Sequence, residues 1–252
     1  MRKCRKALFF TLSLLPAAVL GVYFAVRMSL SAMDSAALEQ AAAQIGNRNL
    51  LLPLSMIQPI LLSLLCGFFG YILSEKIGLL RPFRFEKGPF LKTLTAALIG
   101  GAVLSLDAWT FARWIPALSG NYEGAGSFDA VTWLASILYG GVLEEVMMRL
   151  FLMSLLAFLG WKLFAGKKET VPVGLLMAAN ILVALVFAAG HLPSTAQLLG
   201  GLTPGLILRS FLLNGAFGLL FGRLYRKYGI QYAMLAHGLM HVVSRLIWLI
   251  AL

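Results

Sequence analysis

Seven apolar runs, near residues 7 to 26, 51 to 73, 93 to 114, 130 to 161, 172 to 191, 206 to 222 and 231 to 251, divide this chain of 252 residues. A run of about 20 apolar residues spans the hydrocarbon core of a bilayer as a helix. In hydrocarbon every backbone N–H and C=O must be paired inside its own helix or inside a closed barrel, and these runs lack the strict alternation of barrel strands. The expectation is all-α: a polytopic transmembrane bundle of about seven helices. Composition agrees, with 60% of residues hydrophobic, only 12% charged and a mean hydropathy of +0.86. A soluble domain carries roughly 25% charged residues. A soluble enzyme, a disordered tail and a secreted disulfide scaffold are thereby excluded. The two cysteines, Cys4 among basic residues and Cys66 inside an apolar run, predict neither a disulfide nor a redox role.

The charges set a topology. Arg2, Lys3, Arg5 and Lys6 precede the first run; Lys76, Arg81, Arg84, Lys87 and Lys92 follow the second; Lys162, Lys167 and Lys168 follow the fourth; Arg223, Arg226 and Lys227 follow the sixth. These alternate connections hold 15 of the 21 basic residues, while the intervening ones hold Asp34, Glu39, Glu123 and Asp129, with Arg48 as the one basic residue clear of a helix end. The positive-inside rule then places the N-terminus inside and the C-terminus outside. It also explains the net charge of +11 through lipid topology, so no nucleic-acid partner is expected. The first run is too long for a signal peptide and lacks a small-residue cleavage site, so it reads as a retained anchor. The alanine-rich stretch from Asp34 to Gly46 reads equally as a short surface helix or as an ordered loop. No internal repeat supports a repeat-built transporter.

Within the fourth run stand Glu144, Glu145 and Arg149, where each ionised side chain costs roughly 2.5 to 3.5 kcal/mol on insertion scales. Such groups must face protein or trapped water. Glu145 and Arg149 are four apart and can neutralise each other; Glu144 lies about 100° round the helix and is left as the more reactive carboxylate. The bland alternative is a structural ion pair with Glu144 as a bystander. All three histidines also fall in apolar segments. Glu144 and His191 lie almost equally far, 23 or 24 residues, from the middle of the connection at Gly166 to Lys168, so an antiparallel hairpin brings them to equal depth. Phe187 sits one turn before His191, and Asn180 about three turns before it on nearly the same face. His237 and His241, four apart, present both imidazoles to one side of the last helix, either for chemistry or for hydrogen bonds to a neighbour. Asp107, Arg209 and Arg245 are possible supporting members, although Asp107 can equally sit at the outer end of its run and Arg245 can snorkel. Counted from the basic connections, Glu144 and His191 lie roughly 10 Å deeper than the histidine pair, unless the long fourth run protrudes at its inner end.

Three elements in order, Glu144-Glu145-Val-Met-Met-Arg149, Phe187-Ala-Ala-Gly-His191 and His237-Gly-Leu-Met-His241, resemble the CPBP family of type II CAAX prenyl endopeptidases and bacteriocin-processing or immunity (Abi) proteins. The resemblance covers roughly residues 130 to 245. It divides the chain into residues 1–129, membrane helices without a family motif, and residues 130–252, a CPBP-like catalytic core. It implies an intramembrane endopeptidase with Glu144, His191, His237 and His241 as catalytic residues, supported by Glu145, Arg149 and Phe187. The last position is commonly asparagine in the family and is histidine here.

Peptide hydrolysis needs an activated water, a proton carrier to the leaving nitrogen and donors for the oxyanion. Glu144 with His191 can supply the first two, and His237 with His241 the third. A metal route stays open beside this one: zinc held by His191, His237 and His241 with Glu144 as base, as the family's frequent metalloprotease label suggests. Two other functions stay open as well, a non-catalytic scaffold or bacteriocin-immunity protein of the same fold and an ion-coupled transporter. The expected partners are membrane lipid and a membrane-associated peptide or protein; the expected location is a bacterial plasma membrane. Neither the natural substrate nor the oligomeric state is legible in the chain.

Overall fold

The computed structural model describes residues 2–122 and 126–252, and Glu123 of the acidic connections lies outside them. Every long apolar run is helical. Helix α1 spans Arg2–Ser31, α2 Ser35–Ile45, α3 Leu51–Lys76 and α4 Lys87–Ser105. Short turns over residues 106–122 lead to α5, a continuous helical run over residues 130–164. Helix α6 spans Val173–Gly190, α7 Leu192–Leu199, α8 Pro204–Tyr228 and α9 Ile230–Ala251. The described residues contain no strand. Six helices, α1, α3, α4, α6, α8 and α9 with their flanking turns, are long and apolar enough to cross a membrane. The other run of the expected seven is α5, which carries Glu144, Glu145 and Arg149 at its centre. The protein is an integral, multi-pass membrane protein.

Helix α5 is the axle of the bundle. Helices α1 and α3 pack on one side of it, α9 with α4 on another, and α6 with α8 close the remaining face. Its apolar stripe of Leu143, Val146, Leu150, Met153 and Ala157 is fully or almost fully buried, and Val22 of α1 and Phe221 of α8 close against the same core. Outward-facing Leu61, Leu65, Ile99, Ile181 and Leu208 remain exposed, as expected where lipid is the solvent. Two glycines permit a close approach: a Cβ on Gly141 of α5 would stand 2.8 Å from the Cα of Gly238 in α9, so the two backbones touch at this crossing.

The four basic connections gather at one end of the bundle. Lys3 pairs with Glu75 at 3.4 Å, Lys76 lies 5.4 Å from the Phe158 ring centre, Lys92 lies 5.8 Å from that of Tyr228, and Gln231 donates to Pro82 O at 3.1 Å. Just inside this end a chain of hydroxyls ties three helices: Tyr225 donates to Ser74 at 2.8 Å, and Ser154 stands 2.8 Å from Tyr225 on its other side. From that level α5 runs ten residues on to Phe164, while α8 stops three residues later at Tyr228. The end of α5 therefore projects beyond its neighbour by about seven residues, roughly 10 Å. This is the protrusion that the depth mismatch of the sequence required.

At the opposite end, the stretch from Asp34 to Gly46 is a capped helix. Asp34 accepts from Ala37 N at 2.7 Å, and Gly46 closes α2 with φ of 78°. None of its residues is buried, so it lies on the surface, the helical one of the two readings.

Candidate active site

The local geometry of α5 departs from an ordinary helix where its charges sit. Its turns widen to the i→i+5 pattern over Ala135–Glu144 and Val146–Met153, and α8 does the same over Phe211–Gly215. Such turns are rare and concentrate at functional sites. Here they carry Ser136, Tyr139, Glu144 and Asn214, all of which line one cavity.

The neighbouring carboxylates face different surroundings. Glu145 is fully buried; its Oε1 accepts from His237 Nδ1 at 2.8 Å and pairs with Arg149 Nη1 at 3.0 Å. Arg149, equally buried, donates to Gly218 O at 3.2 Å and lies over the rings of Phe187 and Phe221, 4.7 and 5.4 Å from their centres. Glu144 has no ion-pair or hydrogen-bond partner among the described residues and borders the cavity instead. The i,i+4 neutralisation of Glu145 by Arg149 and the isolation of Glu144 are both as the spacing anticipates.

The cavity holds about 310 Å³ and is bordered by Glu144, His191, His237 and His241 together. A contiguous space of about 470 Å³ shares Glu144, Tyr139, Phe187 and His191 with it and extends along α1 through Val22, Ala25, Val26 and Ser29. His191 is fixed by its Nδ1, which donates to Phe187 O at 2.8 Å, and by its ring standing edge-on to Phe187 at 4.6 Å. His237 stacks on Phe221 at 4.4 Å, with His241 5.1 Å away. A Cβ on Gly140 would meet the Nε2 atoms of His241 and His237 at 3.6 and 3.8 Å, ordinary contact distances, so both imidazoles lie against α5 at this residue.

The acceptors at Nδ1 fix the tautomers. A carbonyl oxygen only accepts, and so does a carboxylate paired with arginine, so His191 and His237 each spend their Nδ1–H on an oxygen. In the neutral ring the other nitrogen, Nε2, then carries a lone pair. The neutral His237 ring therefore offers the cavity an acceptor at Nε2.

Zinc needs three or four ligands within about 2.0 to 2.3 Å of the ion. Among the described residues no group of three or more His, Cys, Asp or Glu side chains is placed to hold a metal, so the set of His191, His237 and His241 is not assembled in that form.

Other residues sort themselves by position. Arg245 Nη2 donates to Ser136 at 2.9 Å and so braces the cavity wall. Asp107 pairs with Arg209, whose Nε lies 2.9 Å from both carboxylate oxygens, and with the Tyr122 hydroxyl, away from the cavity lining. Asn180 donates to Leu219 O at 3.0 Å and packs where a Cβ on Gly222 would stand 1.7 Å away; it fastens α6 to α8. The motif pattern passes over Tyr139, Asn214, Ser194 and, from α1, Ala25 and Met28, all of which line the cavity. Tyr139 is five residues before Glu144, about 140° away on an α-helix but brought round to the same side by a widened turn.

Residues 126–243 match the family model described as Rce1-like, type II CAAX prenyl endopeptidase Rce1-like. The match begins just ahead of α5, ends within α9 and contains all three motif elements. No curated protein and no solved structure matches the chain.

Proposed function

We propose, with the Rce1-like family of residues 126–243 as premise, that this membrane protein is an intramembrane endopeptidase that cleaves a membrane-associated peptide or protein by a carboxylate-activated water. The observation that carries the reading is the convergence of Glu144, His191, His237 and His241 on one cavity, although the four come from three separate stretches of the chain.

Glu144 is the one of the two carboxylates free to take a proton, because Glu145 is committed to Arg149 and His237. Water held between Glu144 and the Nε2 lone pair of His191 loses a proton to the carboxylate as its oxygen attacks the scissile carbonyl. The oxyanion that forms is stabilised by His241, while His237, held through Nδ1 by Glu145, turns its Nε2 lone pair to the cavity. The proton on Glu144 then passes to the leaving nitrogen as the C–N bond breaks, which returns the carboxylate to its starting state. Arg149 and Phe187 act through others: Arg149 holds Glu145, and Phe187 holds His191 by its carbonyl and its ring. No step passes through a metal. A bacterial plasma membrane is the location that fits the charge pattern.

Substrate trapping tests the assignment. Glu144→Gln protein is expected to retain peptides, identified by mass spectrometry, that the unaltered protein cleaves and the variant does not. Cleavage that survives Glu144→Gln or His191→Ala in folded protein removes these residues from the chemistry. Activity is also expected to persist after chelation; a stoichiometric metal whose removal abolishes cleavage overturns the metal-free route.

A further inference from the structure

Helices α1, α3, α4 and α6 border the cavity in the half remote from the basic connections, and α5 borders it no further than its middle; α8 and α9 reach it as far down as Phe221 and His237, each seven residues from the basic end. Helix α1 starts at Arg2 among four basic residues, yet its cavity residues, Val22, Ala25, Val26, Met28 and Ser29, all lie within its last ten positions. Helix α6 leaves the Lys167–Lys168 connection and reaches the cavity only with Val186, Phe187 and Gly190, its last turn. Leu104 is the penultimate residue of α4, which begins at Lys87, and Pro59 lies in the first third of α3, which ends at Lys76. Ser194, in the exposed segment after His191, borders both spaces. From Lys6 to Ala25 the rise along α1 is about 28 Å, close to a full hydrocarbon thickness, whereas Ser29 lies about 3 Å from the helix end.

From this placement, which rests on the endopeptidase reading for its chemistry, we infer that the active-site cavity opens at the membrane face opposite the basic connections, so that the substrate is a polypeptide segment on the non-cytoplasmic side. Basic residues in short connections are retained on the cytoplasmic side, and here 15 of the 21 mark one end of the bundle, against Arg27, Arg48 and Arg113 at the other. The substrate class follows: a peptide or protein that has already crossed the membrane, or the outward flank of a membrane-inserted one. A tail that remains in the cytoplasm stays beyond the level of Ser154, ten residues or about 15 Å along α5 from Glu144.

The chain carries its own reference mark for the test, since Cys4 is exposed at the basic end and Cys66 is buried. In intact cells a membrane-impermeant maleimide is expected to label Ser29→Cys and Gln197→Cys, two exposed positions at and beside the cavity mouth, and to leave Cys4 unlabelled until the membrane is opened. A C-terminal alkaline phosphatase fusion is expected to be active and a C-terminal green fluorescent protein fusion dark, which reads the same topology without any engineered cysteine. Labelling of Cys4 in intact cells, with fluorescence from the C-terminal fusion, overturns the inference. Sealed vesicles of each orientation, given trapped-substrate peptides from outside, separate this inference from the function it rests on. Cleavage only by right-side-out vesicles supports both. Cleavage only by inside-out vesicles overturns the orientation and leaves the endopeptidase standing. Outward labelling with cleavage by neither overturns the endopeptidase and leaves the orientation.

Discussion

Two ion pairs lie inside this bundle, and they are built to different standards. At Asp107 and Arg209 the guanidinium Nε spans both carboxylate oxygens at 2.9 Å, its Nη2 donates as well, and the Tyr122 hydroxyl adds a third donor. At Glu145 and Arg149 both partners are fully buried, where Arg209 keeps part of its surface exposed, and yet Glu145 Oε2 and Arg149 Nε have no hydrogen-bond partner among the described residues, and the shared Oε1 also serves His237. Buried polar groups left unsatisfied are expensive and therefore rare. The closed network ties the segment after α4 to α8; the open one stands one residue from the cavity carboxylate and orients an imidazole that borders it. Satisfaction of hydrogen bonds thus distinguishes a tie from a working centre where charge alone does not.

The largest expected effect falls next to the open centre: Glu144→Gln should lower cleavage by about 10² to 10⁴-fold, as for loss of a general base, with unfolding in detergent little changed. Removing one partner of either buried pair should destabilise by about 3 to 5 kcal/mol, but Glu145→Gln should also abolish cleavage per folded molecule, whereas Asp107→Ala should not. Equal loss of cleavage in both would erase the distinction. Sharper still is exchange of both partners. Asp107→Leu with Arg209→Met should keep stability and cleavage, while Glu145→Leu with Arg149→Met should keep the fold and lose cleavage. Gly141→Ala, which drives a methyl against the Gly238 backbone, should lower stability by about 1 to 3 kcal/mol and lower cleavage with it, because the same crossing carries His237; thermal unfolding and turnover measure the two.

The smallest effect is expected at the head of α5, where Asp129 accepts from the amides of Val131 and Thr132 at 3.1 Å. Asp129→Ala should cost about 1 kcal/mol. The Thr132 hydroxyl, together with these amides, holds the Asp129 carboxyl below the usual carboxylate range. Its contribution is therefore complete above the unfolded-state value and is lost as the pH falls through the lower folded value. The stability gap between the two proteins should close in acid, by an amount kept small by the exposure of the site.

Much of this architecture is legible in the chain, for particular reasons. Glu144, His191, His237 and His241 can be picked out because ionisable groups are so disfavoured in lipid that each one needs an explanation, and because equal spacing from a helical hairpin's turn means equal depth. The pairing of Glu145 with Arg149 follows from a four-residue interval. Tyr139 and Asn214 escape because they lie on widened turns, which no residue pattern announces. The wall given by α1 escapes because Ala25 and Met28 are ordinary lipid-facing residue types that acquire meaning only from the helix packed beside them. The network of Asp107, Arg209 and Tyr122 joins stretches about a hundred residues apart, and no periodicity within one helix encodes such a meeting.

The hydroxyl chain of Ser74, Tyr225 and Ser154 has a consequence for the membrane itself. It crosses three helices between the cavity and the basic end, and no residue from that end borders the spaces around Glu144. Hydrolysis consumes water in the middle of an insulator, and a wet path running from one side to the other would let protons leak down their gradient. Drawing α3, α5 and α8 together at this level narrows any such path beneath the chemistry.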